Sequence, residues 1–476
     1  MFRWLTLVFA IAWPASTNAG SAAGGAGTRR PASTGSDTLR EPPILVNQSS
    51  VPRTVEVSLI AAPARLALAP GRVTDAFAYN GIVPGPTIEV HEGDKVIIHF
   101  TNRLPEPSTI HWHGLHIPAD MDGSPLNVVP AGGRKDYVFT IDSGSAGTYW
   151  YHPHPDVRTG YQVAKGLYGA FIIRPAHDPL QGIPERLLIL SDNRFRPGGS
   201  IDIPAVHTTA AIVDEENGRE GNVMLVNGQV MPRIAIRSGE AQRWRVINAS
   251  ASRVYRLAIP GQTLLQVGSD GGLFEHPAVV KDVLLSNSER VELVVRGTGA
   301  PGSTAMLQTL PYDRYMPQTR PDDWNRPHNL LALAYTTEAP VAPVSLPRTL
   351  RVIPALDTAR VTARRSIVLS QGLINGHTMD MSRVDVRVKL GTTEIWTIEN
   401  VVGMDHPFHL HGFHFQLLDR NGVPERDRRW KDTVNIPKHE SVRFVVYFDA
   451  HPGRWMFHCH ILDHEDHGMM GIFEVT

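Results

Sequence analysis

The stretch DKVIIHFTN, residues 94–102, alternates apolar and polar side chains with a period of two, which predicts a β-strand with one face in a core. Two later stretches share its outline, AQRWRVIN at 241–248 and TTEIWTIEN at 392–400. Each of the three ends in an asparagine nine residues after a glycine, and each follows an Asn-Gly pair typical of a tight turn. A unit that recurs three times predicts three similar β domains.

Composition also favours an all-β fold. The 41 glycines and 37 prolines interrupt the 476-residue chain every few residues, which is typical of short strands and turns. The 46 Lys and Arg residues nearly balance the 47 Asp and Glu residues, so the net charge is −1. A nearly neutral chain offers no excess of basic residues to bind nucleic acid or an anionic membrane. We therefore expect small molecules as partners.

The N-terminus has the pattern of a signal peptide, which we place at 1–19. Arg3 precedes an apolar run over 4–13, and small residues follow up to Ala19, where we expect cleavage. The run is about half the length that spans a bilayer, so it predicts a periplasmic or secreted protein without a membrane anchor. Residues 20–45 are expected to form a disordered lead-in.

Linkers divide the rest of the chain. The Pro-containing stretches at 172–185 and 336–349 separate domains that we place at 46–175, 183–336 and 350–476. Each domain then has an ordinary size. We expect the protein to be a monomer.

Histidines fall unevenly on the repeat. Positions +9 and +11 after the repeated asparagine hold a His-x-His pair in the first and third domains, but Leu257 and Ile259 in the second. Positions five and seven after a later glycine hold another pair in the same two domains, but Leu307 and Thr309 in the second. Residues i and i+2 of a strand point to one face, so each pair can address one site. Four pairs at matched positions argue against coincidence and predict a metal site. The eight residues are His111, His113, His152, His154, His409, His411, His458 and His460.

Cys459 is the only cysteine, so it cannot form a disulfide within the chain and is either a buried free thiol or a reactive or metal-binding one. Because it lies between two of these histidines, it points to the opposite face of its strand. His406 and His464 are available for a second site there, with Met469 as a weak axial ligand, which is the ligand set of a blue-copper centre. Pro153 replaces the cysteine in the first domain, so only one such centre can form.

Four motifs in this order resemble the three-domain multicopper oxidases: HWHG (111–114), WYHPH (150–154), HPFHLHG (406–412) and HCHILDHEDHGMM (458–470). The similarity covers roughly residues 50–476 and is nearest to the bacterial laccase and cuprous-oxidase branch. It implies three cupredoxin-like Greek-key β-sandwich or barrel domains and four copper ions. The resemblance assigns a type 1 copper to His406, Cys459, His464 and Met469. It assigns a type 2 copper to His111 and His409, and a type 3 pair to His113, His152, His154, His411, His458 and His460.

The resemblance also implies a reaction. Single electrons would enter at the type 1 copper and pass through Cys459 to the three-copper cluster, where dioxygen is reduced to water. That reduction consumes protons, which the imidazole ligands do not supply. Asp122 and Glu465 match acidic positions of the family and are the predicted proton donors, against the alternatives of a turn aspartate and a solvated glutamate. Asp405, beside His406, is expected to orient that ring or bind substrate, or to have a structural role.

The substrate depends on residues outside these motifs. Cuprous oxidases of this branch often carry a methionine-rich insert, whereas residues 340–410 contain only Met379, Met381 and Met404. We therefore expect a laccase-like oxidase of phenols or aromatic amines, with electron transfer at an exposed His406. The alternatives are a periplasmic cuprous oxidase acting in copper tolerance and a non-enzymatic exported copper-binding scaffold.

Two other metalloenzyme classes are disfavoured. The sequence HEDH at 464–467 lacks the His-Glu-x-x-His spacing of a zinc protease, which argues against a mononuclear zinc hydrolase. A two-domain copper nitrite reductase would lack the third repeat. The aromatic and polar segment at 311–329 lines or decorates a surface between domains, and the sequence alone does not distinguish the two.

Overall fold

The computed structural model describes residues 37–204, 208–316 and 324–476. The predicted signal peptide and residues 20–36 of the predicted lead-in lie outside this part of the chain. Within it, the chain forms six β-sheets and three short α-helices, and the predicted all-β class is confirmed. No helix among the described residues combines the length and apolar character needed to cross a bilayer.

Residues 38–45 differ from the disordered lead-in that the sequence suggests. The Leu39 amide donates to the Arg233 carbonyl at 2.8 Å, and the Leu45 amide donates to the Thr87 carbonyl at 2.8 Å. This segment therefore pairs with strands from two parts of the fold, which its own composition gives no means of predicting.

The first third of the chain forms two four-stranded sheets. Their strand orders are β2-β1-β4-β6 and β3-β8-β7-β5. The strands are β1 (Thr54–Leu66), β2 (Thr74–Tyr79), β3 (Gly85–His91), β4 (Lys95–Asn102), β5 (His111–His113), β6 (Arg134–Thr140), β7 (Gly147–His152) and β8 (Gly169–Arg174).

The middle third forms a six-stranded and a five-stranded sheet. Their orders are β10-β9-β12-β17-β14-β15 and β11-β19-β18-β13-β16. The strands are β9 (Glu185–Asn193), β10 (Val223–Val226), β11 (Arg233–Ile236), β12 (Ala241–Asn248), β13 (Tyr255–Ala258), β14 (Leu264–Ser269), β15 (Gly272–Val280), β16 (Val283–Leu285), β17 (Arg290–Arg296), β18 (Thr304–Thr309) and β19 (His328–Tyr335).

The last third repeats the six-plus-five arrangement. Its orders are β21-β20-β23-β28-β25-β26 and β22-β30-β29-β24-β27. The strands are β20 (Val361–Ser370), β21 (Leu373–Ile374), β22 (Val386–Val388), β23 (Thr392–Asn400), β24 (His406–Leu410), β25 (Phe415–Arg420), β26 (Val423–Pro424), β27 (Thr433–Ile436), β28 (Ser441–Phe448), β29 (Gly453–Cys459) and β30 (Met470–Val475).

The helices are short and lie in connections between strands. They are α1 (Thr159–Ala164), α2 (Thr209–Asn217) and α3 (Leu462–Asp466), with 3-10 turns at Pro125–Asn127 and Thr358–Arg360. Both α1 and α2 pack against α3, so segments from all three thirds meet beside the histidine-rich C-terminal motif.

The repeated asparagine has one structural role in all three thirds. Asn102, Asn248 and Asn400 each end a central strand and donate a side-chain hydrogen bond to a carbonyl on the far side of a long connection. The accepting residues are Val129, Leu285 and Ile436, at 3.0, 3.1 and 3.0 Å. This shared bond fixes the start of the loop that leads to the His-x-His position.

Each third has its own hydrophobic core between its two sheets. Trp112, Trp244 and Trp396 are fully buried members of the three cores. A smaller cluster containing Trp150, Ile247 and Leu462 draws on all three thirds and packs next to the histidines. Burial of large apolar side chains on this scale is the main stabilising contribution to a fold of this kind.

Candidate metal centre

Strand pairing in the first third brings two histidine motifs side by side. In the antiparallel pair β5–β7, His111 lies opposite His152 and His113 lies opposite Trp150. Trp112 faces the other way, into the core. Alternation along a strand thus places one motif's histidines on one face, as the sequence predicts.

Pairing in the last third follows the same plan. In the antiparallel pair β24–β29, His409 lies opposite His458, and Phe408 lies opposite Cys459. The Cys459 side chain therefore belongs to the face opposite to that of His458. The thiol and the histidine cluster therefore lie on opposite faces of β29, although Cys459 and His458 are neighbours in the chain.

The eight histidines meet in one buried cluster between the first and last thirds. All eight are 0 % exposed. The His113 and His409 rings stack at 3.8 Å between centroids, and the His111 and His411 rings stack at 3.9 Å. His458 Nε2 lies 2.9 Å from His411 Nε2. Several triads within the cluster bring their ligand atoms within 4.8 Å of one another.

Outward-facing ring nitrogens in this cluster are held by carbonyl groups. His111 Nδ1 lies 3.0 Å from the Asp122 carbonyl, His409 Nδ1 lies 2.9 Å from the Asp432 carbonyl, and His152 Nδ1 lies 2.9 Å from the Pro153 carbonyl. A ring that donates from Nδ1 presents an unprotonated Nε2 to the cluster. The Nε2 atoms of these three histidines have no hydrogen-bond partner among the described residues.

The cluster has the properties of a transition-metal site. Burial lowers the pKa of His458 to about 3 and that of His152 well below the ordinary value, so these two rings stay neutral. Neutral imidazoles that converge without hydrogen-bond partners carry a desolvation cost unless a cation occupies the space between them. Imidazole donors suit copper, zinc, iron and nickel, so the donor set fits copper but does not select it by itself.

A second group lies on the opposite face of β29. The ligand atoms of His406, Cys459 and His464 lie within 4.8 Å of one another, and Cys459 Sγ is 3.7 Å from His464 Nδ1. Met469 is fully buried next to them, and its carbonyl accepts the Cys459 amide at 3.1 Å. The structure therefore brings together all four residues of the predicted second site.

Burial controls protonation in this second group as well. It raises the pKa of the Cys459 thiol well above the ordinary value and lowers that of His406 to about 4. A thiol in such surroundings ionises only with a bound cation, and a Cys, His, His set with a nearby Met suits copper more closely than the other common metals.

Two predicted proton donors contact the histidine cluster. Asp122 Oδ2 lies 2.8 Å from His411 Nδ1. Glu465 lies between two rings, with Oε1 3.3 Å from His154 Nδ1 and Oε2 3.3 Å from His458 Nδ1. Burial raises the pKa of Glu465 well above its ordinary value. Both carboxyl groups are 1 % exposed, so neither is a solvated surface residue.

Asp405 has a different environment. Its carboxylate accepts hydrogen bonds from the Tyr312 hydroxyl, the Asn435 amide at 3.0 Å and the Lys438 backbone amide at 3.0 Å. The residue is 1 % exposed. Three protein donors therefore bind this buried carboxylate and hold the loop before His406 in place.

The expectation of an exposed His406 is wrong. His406 is 2 % exposed and His464 is 5 % exposed. The Nε2 of His464 lies 3.3 Å from the Glu216 carbonyl at the end of α2, which covers this imidazole. The covering helix comes from the middle third, more than 200 residues away in sequence, and its packing cannot be inferred from the motif itself.

Sequence reasoning missed Asp432. Its Oδ1 lies 3.2 Å from His113 Nε2, and its carbonyl accepts from His409 Nδ1. The Arg290 guanidinium, from the middle third, binds both oxygens of this carboxylate, with Nη1 to Oδ1 at 2.8 Å. Burial would raise the pKa of Asp432, but the Arg290 charge outweighs it and holds that pKa well below the ordinary value. The residue follows no His-x-His spacing, so no local signal identifies it.

A cavity of about 330 Å³ opens at the C-terminal end of α2, the helix whose Glu216 carbonyl lies 3.3 Å from His464 Nε2. Its lining includes Gly218 at the end of α2 and the segment residues Tyr312, Arg314 and Met316. Trp324 also lines the cavity. Residues of the segment at 311–329 thus contribute to the lining of this cavity.

The site and fold match one family. Sequence profiles of the multicopper oxidases match residues 64–178, 192–337 and 347–476, and the chain belongs to that family. A multicopper oxidase of Staphylococcus aureus is 32% identical over 427 residues, covering 85% of this chain and 85% of that protein.

Solved structures agree with this assignment. A Campylobacter jejuni multicopper oxidase, described as a metallo-oxidase, superposes with a TM-score of 0.84 at 34% identity, covering 92% of this chain and 95% of that chain. A laccase from Pediococcus acidilactici superposes with a TM-score of 0.82 at 31% identity, covering 94% and 95%. The protein is therefore an oxidoreductase with three cupredoxin-like domains that acts with copper.

Proposed function

We propose that this protein is a laccase-like oxidase that takes single electrons from phenols or aromatic amines and reduces dioxygen to water. One observation carries the proposal. Cys459 belongs to the three-residue ligand group, whereas its two chain neighbours, His458 and His460, belong to the histidine cluster. The backbone of Cys459 therefore connects the proposed electron-accepting site directly to the multi-histidine site.

The proposed ligand assignment follows from this arrangement. Bound copper would supply one-electron acceptance at the cysteine site and dioxygen reduction at the cluster. The type 1 ligands are His406, Cys459, His464 and Met469. The type 2 ligands are His111 and His409, and the type 3 ligands are His113, His152, His154, His411, His458 and His460.

The protein's own acids would supply protons to this reaction. Glu465 reaches the Nδ1 side of two cluster histidines, and Asp122 reaches His411. A carboxyl group whose pKa is raised by burial keeps its proton at neutral pH, which suits a proton donor. Glu465 would hold a proton at its carboxyl group and release it towards the cluster, and Asp122 would relay protons beside His411. Asp405 would maintain the geometry of the loop before His406.

The cavity beside α2 supports a small organic reductant. Tyr312 and Trp324 offer aromatic surfaces in a space large enough for one phenol ring. Its wall includes Gly218, two residues from the carbonyl that contacts His464. The substrate would therefore donate its electron across a thin protein cover.

A cuprous oxidase is the second candidate. The same cavity includes the thioethers of Met224 and Met316, which are soft donors suited to Cu(I). Met379 instead packs against the core around Met456 and Met470, as expected for an ordinary core methionine. Two thioethers beside carboxylates form a sparser Cu(I) site than a methionine-rich insert, so we favour the phenol oxidase.

Oxygen uptake distinguishes these candidates. The copper-loaded protein is given a methoxyphenol, Cu(I) or Fe(II) in parallel, each with and without excess Cu(II). We expect phenol-dependent oxygen uptake without added copper. Rapid oxidation of Cu(I), with phenol turnover only in excess Cu(II), would contradict the phenol-oxidase proposal. It would support a cuprous oxidase that acts in copper tolerance. If the protein binds copper but consumes no oxygen with any of these reductants, the result would support the third alternative, a non-enzymatic copper-binding scaffold.

Three further expectations belong to this proposal. The domain boundaries remain at 46–175, 183–336 and 350–476, and the chain acts as a monomer. Export through the signal peptide at 1–19 places the enzyme in the periplasm or outside the cell. N-terminal sequencing of the exported protein tests cleavage after Ala19, and light scattering of the purified enzyme tests the monomer.

A further inference from the structure

The described part of the segment at 311–329 runs between the middle third and the loop that carries His406. The Arg314 carbonyl accepts the Asp405 amide at 3.0 Å, and the Tyr312 hydroxyl donates to the Asp405 carboxylate. The backbone of this segment is therefore fixed to the residue that immediately precedes a proposed copper ligand.

The Arg314 side chain is buried at the same place, with 3 % exposure. Its Nε donates to Glu220 Oε1 at 2.8 Å, and its Nη2 lies 3.2 Å from the Gly218 carbonyl. Its Nη1 lies 3.6 Å from the Met404 sulfur, two residues before His406. The guanidinium thus bridges the end of α2 and the loop that carries the copper ligand.

The counter-charge of Arg314 is shared. Glu220 also pairs with Arg253 at 3.2 Å, and Arg253 pairs with Asp192 at 2.9 Å. The four charges sum to zero, but they are spread over the network, and the positive charge of Arg314 is the member that contacts the ligand loop. A buried charge acts on nearby groups with little screening by solvent.

The protonation of the ligands agrees with this geometry. Burial is the main cause of the lowered pKa values of His406 and His464, and the Arg314 charge lowers them further. The same charge opposes the effect of burial on the pKa of Cys459. Arg314 therefore acts electrostatically on three of the four proposed type 1 ligands.

We propose that Arg314 is a positioning residue that raises the reduction potential of the cysteine copper site and so favours electron entry from the cavity it lines. One-electron oxidation of a phenol would release its hydroxyl proton to water and pass the electron to copper held by His406, Cys459 and His464, which would lose one unit of positive charge. A fixed positive charge nearby stabilises that less positive, reduced state. This inference rests on the proposed function.

The test measures the midpoint potential from a redox titration of the blue thiolate-to-copper absorption in the copper-loaded protein. We expect Arg314→Gln to lower the potential, and Arg314→Lys, which keeps the charge, to remain closer to the wild type. Phenol kcat/KM for Arg314→Gln should fall about tenfold, the order expected for loss of one interaction with a charged group. Arg243→Gln is the matched control, because the Arg243 side chain is also 3 % exposed and ion-paired but lies away from the copper-ligand loop.

A second variant keeps the test decisive if Arg314→Gln fails to fold or to bind copper. Glu220→Gln removes the counter-charge while Arg314 stays in place, so the potential should rise. Arg243→Gln should leave the potential unchanged. A shift in Arg314→Gln no larger than that of Arg243→Gln, or no rise in Glu220→Gln, would overturn the role of Arg314. Absence of the blue absorption from the copper-loaded wild type would instead overturn the proposed function.

Discussion

The middle third and the last third of the chain share a sheet arrangement but differ in what they place at equivalent positions. In the last third, His409 of β24 pairs with His458 of β29. In the middle third, Leu257 of β13 pairs with Thr309 of β18, and Leu257 belongs to the hydrophobic core. The fold therefore does not need the histidines, and their presence in the outer thirds reflects function.

The middle third supports the site from outside. It supplies Arg290, which binds Asp432 behind two cluster histidines, and Arg314, which contacts the loop before His406. Its helix α2 covers His464. One repeat has thus no predicted ligands but holds and covers the ligands of the other two.

The largest expected effect tests the difference between Cys459 and its counterpart Pro153. Cys459→Ser should abolish the blue absorption and the oxidase activity, because serine is too hard and too basic to replace a thiolate ligand. The histidine cluster should still load copper, measured by metal analysis and electron paramagnetic resonance. Met469→Leu is the control and should stay blue, since the axial ligand is weak. A blue, active Cys459→Ser protein would contradict the ligand assignment.

The next effect concerns the acids that contact the cluster. Glu465→Gln and Asp122→Asn should keep copper content and blue absorption but slow turnover by about hundredfold, the order expected for loss of a general acid. Because burial raises the pKa of Glu465, the wild type retains this proton where free protons are scarce, so the deficit of Glu465→Gln should widen as pH rises towards neutrality.

Oxygen consumption from low to neutral pH measures that deficit. Glu394→Gln is the control, a buried carboxylate paired with Arg365 outside the cluster. If both cluster variants turn over like this control at every pH, Glu465 and Asp122 have only structural roles.

A smaller effect tests support from the middle third. Asp432→Asn should weaken the Arg290 contact and the hold on His113, and lower copper occupancy or activity about tenfold, within the range known for residues that orient metal ligands. Its signature is a changed electron paramagnetic resonance spectrum of the cluster copper with an unchanged blue band. Asp419→Asn, which removes a buried carboxylate paired with Arg443, should leave that spectrum unaltered.

The smallest effect tests direct contact between the outer thirds. His116 lies 2.7 Å from Asp142 of the first third and 3.2 Å from Asp449 of the last third. Burial would lower the pKa of His116, but these two carboxylates outweigh it and raise that pKa to about 9. The contact therefore stabilises the fold fully below the ordinary histidine pKa of about 6.5, and this stability is lost as pH rises through about 9.

Thermal unfolding checks this window. The melting temperature of the wild type should exceed that of His116→Gln at pH 6, and the difference should shrink by pH 10. A constant difference across this range would assign the effect to packing and not to charge.

Local sequence patterns predict much of the site. Strand alternation and matched spacing predict that His111 and His409 face one site, and the placement of Cys459 between two histidines predicts a second site on the other face. These are properties of neighbouring residues in one strand, so they can be predicted without knowledge of the tertiary structure. The same holds for the three Asn-Gly turns, whose asparagines adopt φ values of 50 to 52°.

Contacts between distant segments were not predictable. Arg290 meets Asp432 across 142 residues, and α2 covers His464 across 248. No spacing rule encodes such pairs, so the sequence alone identifies neither the role of Asp432 nor the burial of His464. Arg314 lies in a segment rich in aromatic residues, and only the tertiary fold brings its charge to the loop before His406.

The wide separation of the two halves of the cluster has a consequence for biogenesis. His154 and His458 approach each other from positions 304 residues apart, and the cysteine site is complete only after Met469. During synthesis, the first four histidines therefore emerge long before their partners, and neither proposed copper site is complete until residues 458–469 have been made. Metal insertion must follow folding of the last third, so a copper supply acting on the nascent chain would find only half a site.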